Sequence, residues 1–194
     1  TYQGNLNADN VREIRAMVEI SNQLIDEAIG KVLAHLEEKG WLDDTHIIFT
    51  PDHGAWDGEY GLLLIGPSLN DDLTRVPLIW KPAKNENVPA AMVGSPVGLL
   101  DLAPTFLDIA GLETPEWMDG HPLPKSQAEA DAQGREMVFT QFEGYTPDCG
   151  IIMDGVVADN KLCVYYPASP TYDGTVGELY DMEEDPRQRV NFWD

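Results

Sequence analysis

Between Asn10 and Lys39 apolar residues recur at Val11, Ile14, Val18, Ile25, Ile29, Val32 and Leu36. Steps of three, four or seven draw one stripe along one face of a helix. Such a helix is about 45 Å long. A rod of that length with one apolar edge needs a broad apolar partner, and a sheet crossed by the helix is the expected one. Asn10 with Glu13, or Asp9, reads as the cap, and Gly40 after Lys39 supplies the left-handed stop.

The strand signals agree. "HIIF", ending at Phe49, is apolar without alternation, the pattern of a strand covered on both faces, as in a parallel sheet. "VPLIW" (Val76 to Trp80) reads as a second strand, with Pro77 near its start. "VGLLDLAPTFLDIAGL" (Val97 to Leu112) is helical, with Pro104 in the first turn and Gly111 at the end. From Thr114 to Gly134 the chain reads as loop. Strands then follow in "REMVFTQFEG", "CGIIMDGVVADNKLCVYYP" and "GELYDMEEDP", with Asp159-Asn160 as a turn. The fold class is therefore α/β, with residues 1–113 as part of an α/β core and 114–194 as a loop plus a small, antiparallel, β-rich subdomain. Two core strands cannot complete a sheet, so the chain reads as the back part of a larger α/β fold.

Charge excludes some partners. Twelve basic residues stand against 34 acidic ones, a net −22. Long-range repulsion disfavours nucleic acid and anionic membranes. A small anionic substrate would also be repelled unless a local cation reversed the field. No apolar stretch reaches the roughly 20 residues of a membrane span. Cys149 and Cys163 form no Cys-x-x-Cys pair and read as free thiols, which favours a reducing, cytoplasmic setting.

The chemistry concentrates in "FTPDHGAWDGEYG", Phe49 to Gly61. Ligands of open α/β sheets gather beyond the carboxyl ends of strands. There Asp52 offers a carboxylate and His53 an imidazole nitrogen, and Gly54 lets the backbone turn away. The pair suits Ca²⁺, Mg²⁺, Mn²⁺ or Zn²⁺, according to what else ligates. By residues alone it reads first as an Asp-capped turn beside an exposed His, and second as a cation site. Asp57-Gly58 reads first as a tight turn. His35, His46 and His121 read as structural. No G-x-S-x-G elbow and no phosphate-cradling loop with a lysine occurs.

In order, "LIDEAIGKVLAHLEEKGWLDDTHIIFTPDHG", "GEYG", "RVPLIW", "LLDLAPTFLDIAGL", "MDGHPLP" and "GELYDMEEDP" resemble the C-terminal half of a sulfatase, arylsulfatase-type, in the alkaline-phosphatase-like superfamily. The resemblance implies a mixed sheet flanked by helices, plus a small C-terminal antiparallel sheet. It implies that Asp52 and His53 are two ligands of a divalent cation, Ca²⁺ first and Mn²⁺, Mg²⁺ or Zn²⁺ as alternatives. Trp56, Asp57 and Tyr60 become candidate pocket-wall residues.

A formylglycine nucleophile made from Cys or Ser, and the remaining ligands, belong to the family's N-terminal half. No Cys-x-Pro-x-Arg or Ser-x-Pro-x-Arg motif occurs in this sequence. The chain alone is expected to be inactive, and to pair with that half, with a partner chain or with itself. The expected substrate is a small sulfate ester. A second departure lies in "LLLIGPSLNDDLTRVP": Ile65 stands at or next to the family's sulfate-contacting Lys, and Ser68 and Leu69 stand where a His or Tyr follows Gly-Pro. Two alternatives accompany this reading. One is a phosphodiesterase or phosphonate monoester hydrolase on the same scaffold. The other is an inactive relative that acts only in structure or binding.

Overall fold

The structure, a computed structural model, describes residues 2–3, 6–146 and 149–193. Contacts divide the chain into two compact units, Thr1–Gly66 with Asp71–Val88, and Pro67–Asn70 with Pro89–Asp194.

The first unit is built around α1 (Ala8–Glu38). Its cap is Asn7, not Asn10 or Asp9. The Asn7 carboxamide oxygen accepts the N–H groups of Asp9 and Asn10, each at 2.9 Å, and the Asn10 side chain accepts the Asn7 N–H in return. Asn10 thus completes the capping box from inside the helix, so the start lies a few residues earlier than the Glu13 spacing suggests. Gly40 follows the helix with φ 71°. No residue of α1 is fully buried. Val11, Ile14, Val18, Ile29, Leu33 and Leu36 are half-buried, whereas Ile25 and Val32 of the expected stripe are exposed. Met17, Ile20 and Leu24 make a second apolar line on the exposed surface.

Two small sheets accompany the helix. β2 (Ile47–Phe49) pairs antiparallel with β5 (Ile79–Lys81), Ile48 opposite Trp80. Among the described residues the parallel pairing expected for "HIIF" is not formed. Nor do the described residues cover the strand on both faces, since Ile47 and Ile48 are only half-buried and Phe49 stays 39% exposed. Pro77 sits just ahead of β5, where no ladder donor is lost. The other sheet orders β1 (Tyr2–Gln3), β4 (Leu62–Leu64) and β3 (Trp56–Asp57), all antiparallel. A one-turn helix, α2 (Asp71–Thr74), precedes β5.

The second unit holds α3 (Leu102–Ile109), which follows a 3-10 turn at Leu99–Asp101 and carries Pro104 in its first turn. α4 (Gln127–Gln133) falls inside the stretch expected to be loop. Its signals are local: Ser126 caps Glu129 N–H at 3.2 Å, and Gly134 ends it at φ 63°. A four-stranded antiparallel sheet runs β6 (Met137–Thr146), β7 (Cys149–Ala158), β8 (Lys161–Tyr165), β9 (Gly177–Asp181) in sequence order. Asp159 and Asn160 make the β7–β8 turn at φ 47° and 55°, the left-handed pair that a two-residue hairpin needs. Met153, Leu162 and Val164 are fully buried beside Leu69 and Tyr166, and they form the core of this unit. Cys163 is a free thiol, and the Cys149 side chain lies outside the description. Among the described residues no helix is long and apolar enough to cross a membrane.

One buried carboxylate ties the loops of this unit together. Asp101, 1% exposed, accepts Gly98 N–H at 2.8 Å and His121 N–H at 2.9 Å, and meets the Arg135 guanidinium through both oxygens. Thr105 donates to the Asp101 carbonyl at 2.6 Å and accepts Leu123 N–H at 2.8 Å. His121 is therefore held by its backbone, with its ring exposed.

Asp101→Ala strands the Arg135 charge and two backbone donors, and is expected to lower the unfolding free energy by about 3–5 kcal/mol. Urea titration of the variant beside wild type checks this, and a loss below about 1 kcal/mol contradicts the assignment.

Candidate metal centre

The turn after β2 is fixed by one close approach. Gly54 N–H donates to the Leu73 carbonyl at 2.8 Å. A Cβ on Gly54 would lie 2.0 Å from the Asp72 carbonyl oxygen and 3.2 Å from the Leu73 Cα. Only glycine fits against this backbone, and the contact holds the loop that carries Asp52 and His53.

Those two side chains converge. The Asp52 Oδ1 accepts the His53 N–H at 3.0 Å, and Asp52 Oδ2 lies 3.5 Å from His53 Nε2. His53 Nδ1 lies 2.8 Å from the Gly54 carbonyl, which can only accept, so Nδ1 carries a proton. In the neutral ring this leaves the Nε2 lone pair free, the arrangement of a metal-ligating His whose other nitrogen is tied to backbone. Both side chains are open to solvent, Asp52 at 85% and His53 at 51%. A carboxylate oxygen and an imidazole nitrogen at that spacing can sit on adjacent positions of one cation. The donor set fits a divalent ion but does not complete its shell, which takes four donors in zinc sites and about six to eight in calcium sites. Among the described residues no group of three or more His, Cys, Asp or Glu side chains is gathered for a metal.

The remaining candidates lie on the β3–β4 hairpin. Trp56 is 3% exposed, and its indole N–H is buried with no acceptor among the described residues. Asp57 is half-buried, and Tyr60 is 47% exposed in the left-handed conformation, φ 55°. Gly58 starts the turn as expected, at φ 109°, close under Val11 of α1.

Glu59, on which the sequence reading placed no weight, organises the hairpin. Its Oε2 accepts Asp57 N–H at 2.7 Å, and its Oε1 meets Arg15 of α1 at 2.6 Å. Burial alone would push the Glu59 carboxyl up, but the Asp57 and Glu59 N–H groups and the Arg15 guanidinium bring it below the usual range. Burial, and then the Glu59 charge, push Asp57 above it. Arg15 lies off the apolar stripe, and nothing in its spacing announces a partner 44 residues away.

A sequence model of the sulfatase family matches residues 17–112. The chain is 31% identical over 175 residues to an N-acetylglucosamine-6-O-sulfatase of Bacteroides thetaiotaomicron, covering 87% of this chain and 30% of the relative. In fold it is similar to a 2-O GAG sulfatase (TM-score 0.78, 24% identity, 95% of this chain and 39% of that one). It is also similar in fold to the phosphonate monoester hydrolase of Agrobacterium radiobacter (TM-score 0.73, 24% identity, 86% and 34%). The chain spans about a third of the length of the curated relatives it matches.

Gly54→Ala is expected to displace the Asp52–His53 turn and to cost about 1–3 kcal/mol of stability. Urea unfolding together with the His53 ring resonances in an NMR spectrum checks this. Unchanged stability and unchanged resonances would contradict the close-approach account.

Proposed function

The chain belongs to the sulfatase family, and from that premise we propose that it contributes two cation ligands, Asp52 and His53, to a metal-dependent sulfuric ester hydrolase. The observation that carries the reading is the convergence of Asp52 Oδ2 and His53 Nε2 at 3.5 Å, with His53 Nδ1 tied to the Gly54 carbonyl. A bound divalent cation, Ca²⁺ before Mn²⁺, Mg²⁺ or Zn²⁺, would supply charge neutralisation to a sulfate oxygen and to the nucleophile.

The chain's own residues do the rest of what is proposed here. Gly54 sets the turn, the Gly54 carbonyl holds the proton on Nδ1, and Asp52 brings one of the negative charges that a dication needs. Tyr60 is exposed on the hairpin that follows, and the Trp56 indole N–H has no acceptor among the described residues; with Asp57 they are the pocket-wall candidates. The nucleophile is proposed to come from outside this stretch, since no residue of the hairpin or the turn is an activated Ser or Cys. A full complement of ligands, from the same polypeptide or a partner, is part of the same proposal. The exposed line Met17, Ile20 and Leu24 on α1 is a candidate face for such a partner.

A second reading has its own support. His53 offers imidazole, which Mn²⁺ and Zn²⁺ accept more readily than Ca²⁺ does, and the fold likeness includes a phosphonate monoester hydrolase. The resemblance also puts a sulfate-contacting lysine at or next to Ile65, and its absence there would weaken sulfate recognition by about 3–4 kcal/mol, as a lost transition-state donor does in other enzymes. Sulfatase relatives nevertheless outnumber the phosphonate hydrolase among the matches named above.

In the complete protein, Asp52→Ala is expected to slow sulfate release from an aryl sulfate by about 100-fold or more. Equal rates for variant and wild type would remove Asp52 from the site. Faster turnover of a phosphonate monoester than of the aryl sulfate would favour the second reading.

A further inference from the structure

An open cavity of about 820 Å³ lies in the second unit. It is bounded by the 3-10 turn ahead of α3, the loop that ends at His121 and the first residues of β6. The volume falls in the range of small-molecule sites, roughly 300–1,000 Å³. None of its residues is a candidate for the metal centre, so the inference is independent of the catalytic reading.

The walls are fixed from behind. A Cβ on Gly120 would lie 2.3 Å from the Leu100 carbonyl oxygen, so the loop presses its backbone against the turn at this residue. Asp119 and His121, on either side of Gly120 in sequence, both line the cavity. The His121 N–H is tied to the buried Asp101 carboxylate at 2.9 Å, and the same carboxylate holds Arg135. The rim is thus in place before any ligand arrives, which lowers the cost of binding.

Its chemistry is aromatic and acidic. Trp117 and Phe139 line the cavity and are 76% and 68% exposed. Asp119 is exposed and has no hydrogen-bond or ion-pair partner among the described residues. Among the described residues the lining's only Lys or Arg is Arg135, and its guanidinium is engaged by both oxygens of Asp101. From Leu112 to His121 the chain carries three carboxylates and no Lys or Arg. An anion finds no free positive charge here, in a chain of net charge −22. A cation finds a carboxylate and two aromatic rings, the combination that attracts ammonium groups. A small hydrated ion gains little from apolar walls, because it must shed water to reach them. A substituted ammonium ion carries its charge inside an apolar shell and loses less.

We propose that this cavity binds an organic cation, a tertiary or quaternary ammonium group, with Trp117 and Phe139 as aromatic walls and Asp119 as the counter-charge. His121, on the same lining, reports occupancy.

Nuclear magnetic resonance titration of the complete protein tests this at matched ionic strength. The His121 ring resonances are expected to shift saturably with tetramethylammonium. They are expected not to shift with tert-butanol, an uncharged molecule of similar size, or with methyl glucoside. Trp117→Ala is expected to weaken binding about threefold to thirtyfold. Asp119→Asn is expected to weaken it and to flatten its dependence on salt. Both side chains are exposed, so neither substitution removes buried structure. Absence of a saturable His121 shift in the wild-type protein overturns the site. An equal shift with either neutral probe, or affinity unchanged in Trp117→Ala or in Asp119→Asn, overturns the cation assignment.

Discussion

The approach of Gly54 to the backbone of Asp72 and Leu73 is the constraint on which the proposed site depends. It is a steric fact before it is a chemical one. A 2.0 Å distance from a would-be Cβ to a carbonyl oxygen admits no side chain. The turn is therefore set by backbone against backbone, with one N–H bond to Leu73 as its anchor. Everything the site can do follows from that placement. Asp52 and His53 are adjacent in sequence, and on an extended strand would point to opposite faces. At this turn their outer atoms lie 3.5 Å apart. Because the Gly54 carbonyl binds Nδ1, the residue that shapes the turn also selects the imidazole nitrogen left for a ligand.

The two units are stabilised in different ways. The unit that carries the β6–β9 sheet has a core of fully buried side chains, and its long loops hang from the Asp101 carboxylate. That carboxylate is satisfied by two backbone N–H groups and a guanidinium, so its burial is compensated. The phenol of Tyr166 is treated similarly: burial and the Glu178 carboxylate that it bonds hold it far above the ordinary tyrosine range, hence neutral. The unit that carries Asp52 and His53 has little such interior. Its longest element has no buried residue, and among the described residues its ladders are a three-residue strand pair and the small β1–β4–β3 sheet. Marginal two-stranded ladders gain from added layers. This matches a site whose donor set is likewise incomplete.

Much of this was legible in the sequence, for identifiable reasons. The α1 helix, the Gly40 stop, the Asp159-Asn160 hairpin and the strand at "GELYD" rest on local periodicity and turn chemistry, and each is present, although Ile25 and Val32 of the α1 stripe are exposed. Family resemblance, carried by six short pieces in order, reached further than any one of them. What escaped depends on distant partners. The antiparallel pairing of "HIIF" with "IWK" depends on which strands lie alongside, and an apolar run does not carry that information. Arg15 with Glu59, Asp101 with Arg135, and Gly54 against Asp72 each join residues 18 to 44 positions apart in sequence. α4 was within reach: Ser126, Glu129 and Gly134 are its start and stop signals, masked by the prolines just upstream. The pair Asp52-His53 was visible as chemistry from the start, and the structure adds its tautomer and spacing.

His53 Nε2 and Asp52 are proposed to ligate one cation. Pulsed electron paramagnetic resonance of the complete protein loaded with Mn²⁺ reads that bond directly. The account predicts an imidazole-nitrogen coupling to the metal that disappears in His53→Asn while Mn²⁺ remains bound. An unchanged nitrogen coupling in His53→Asn would contradict it.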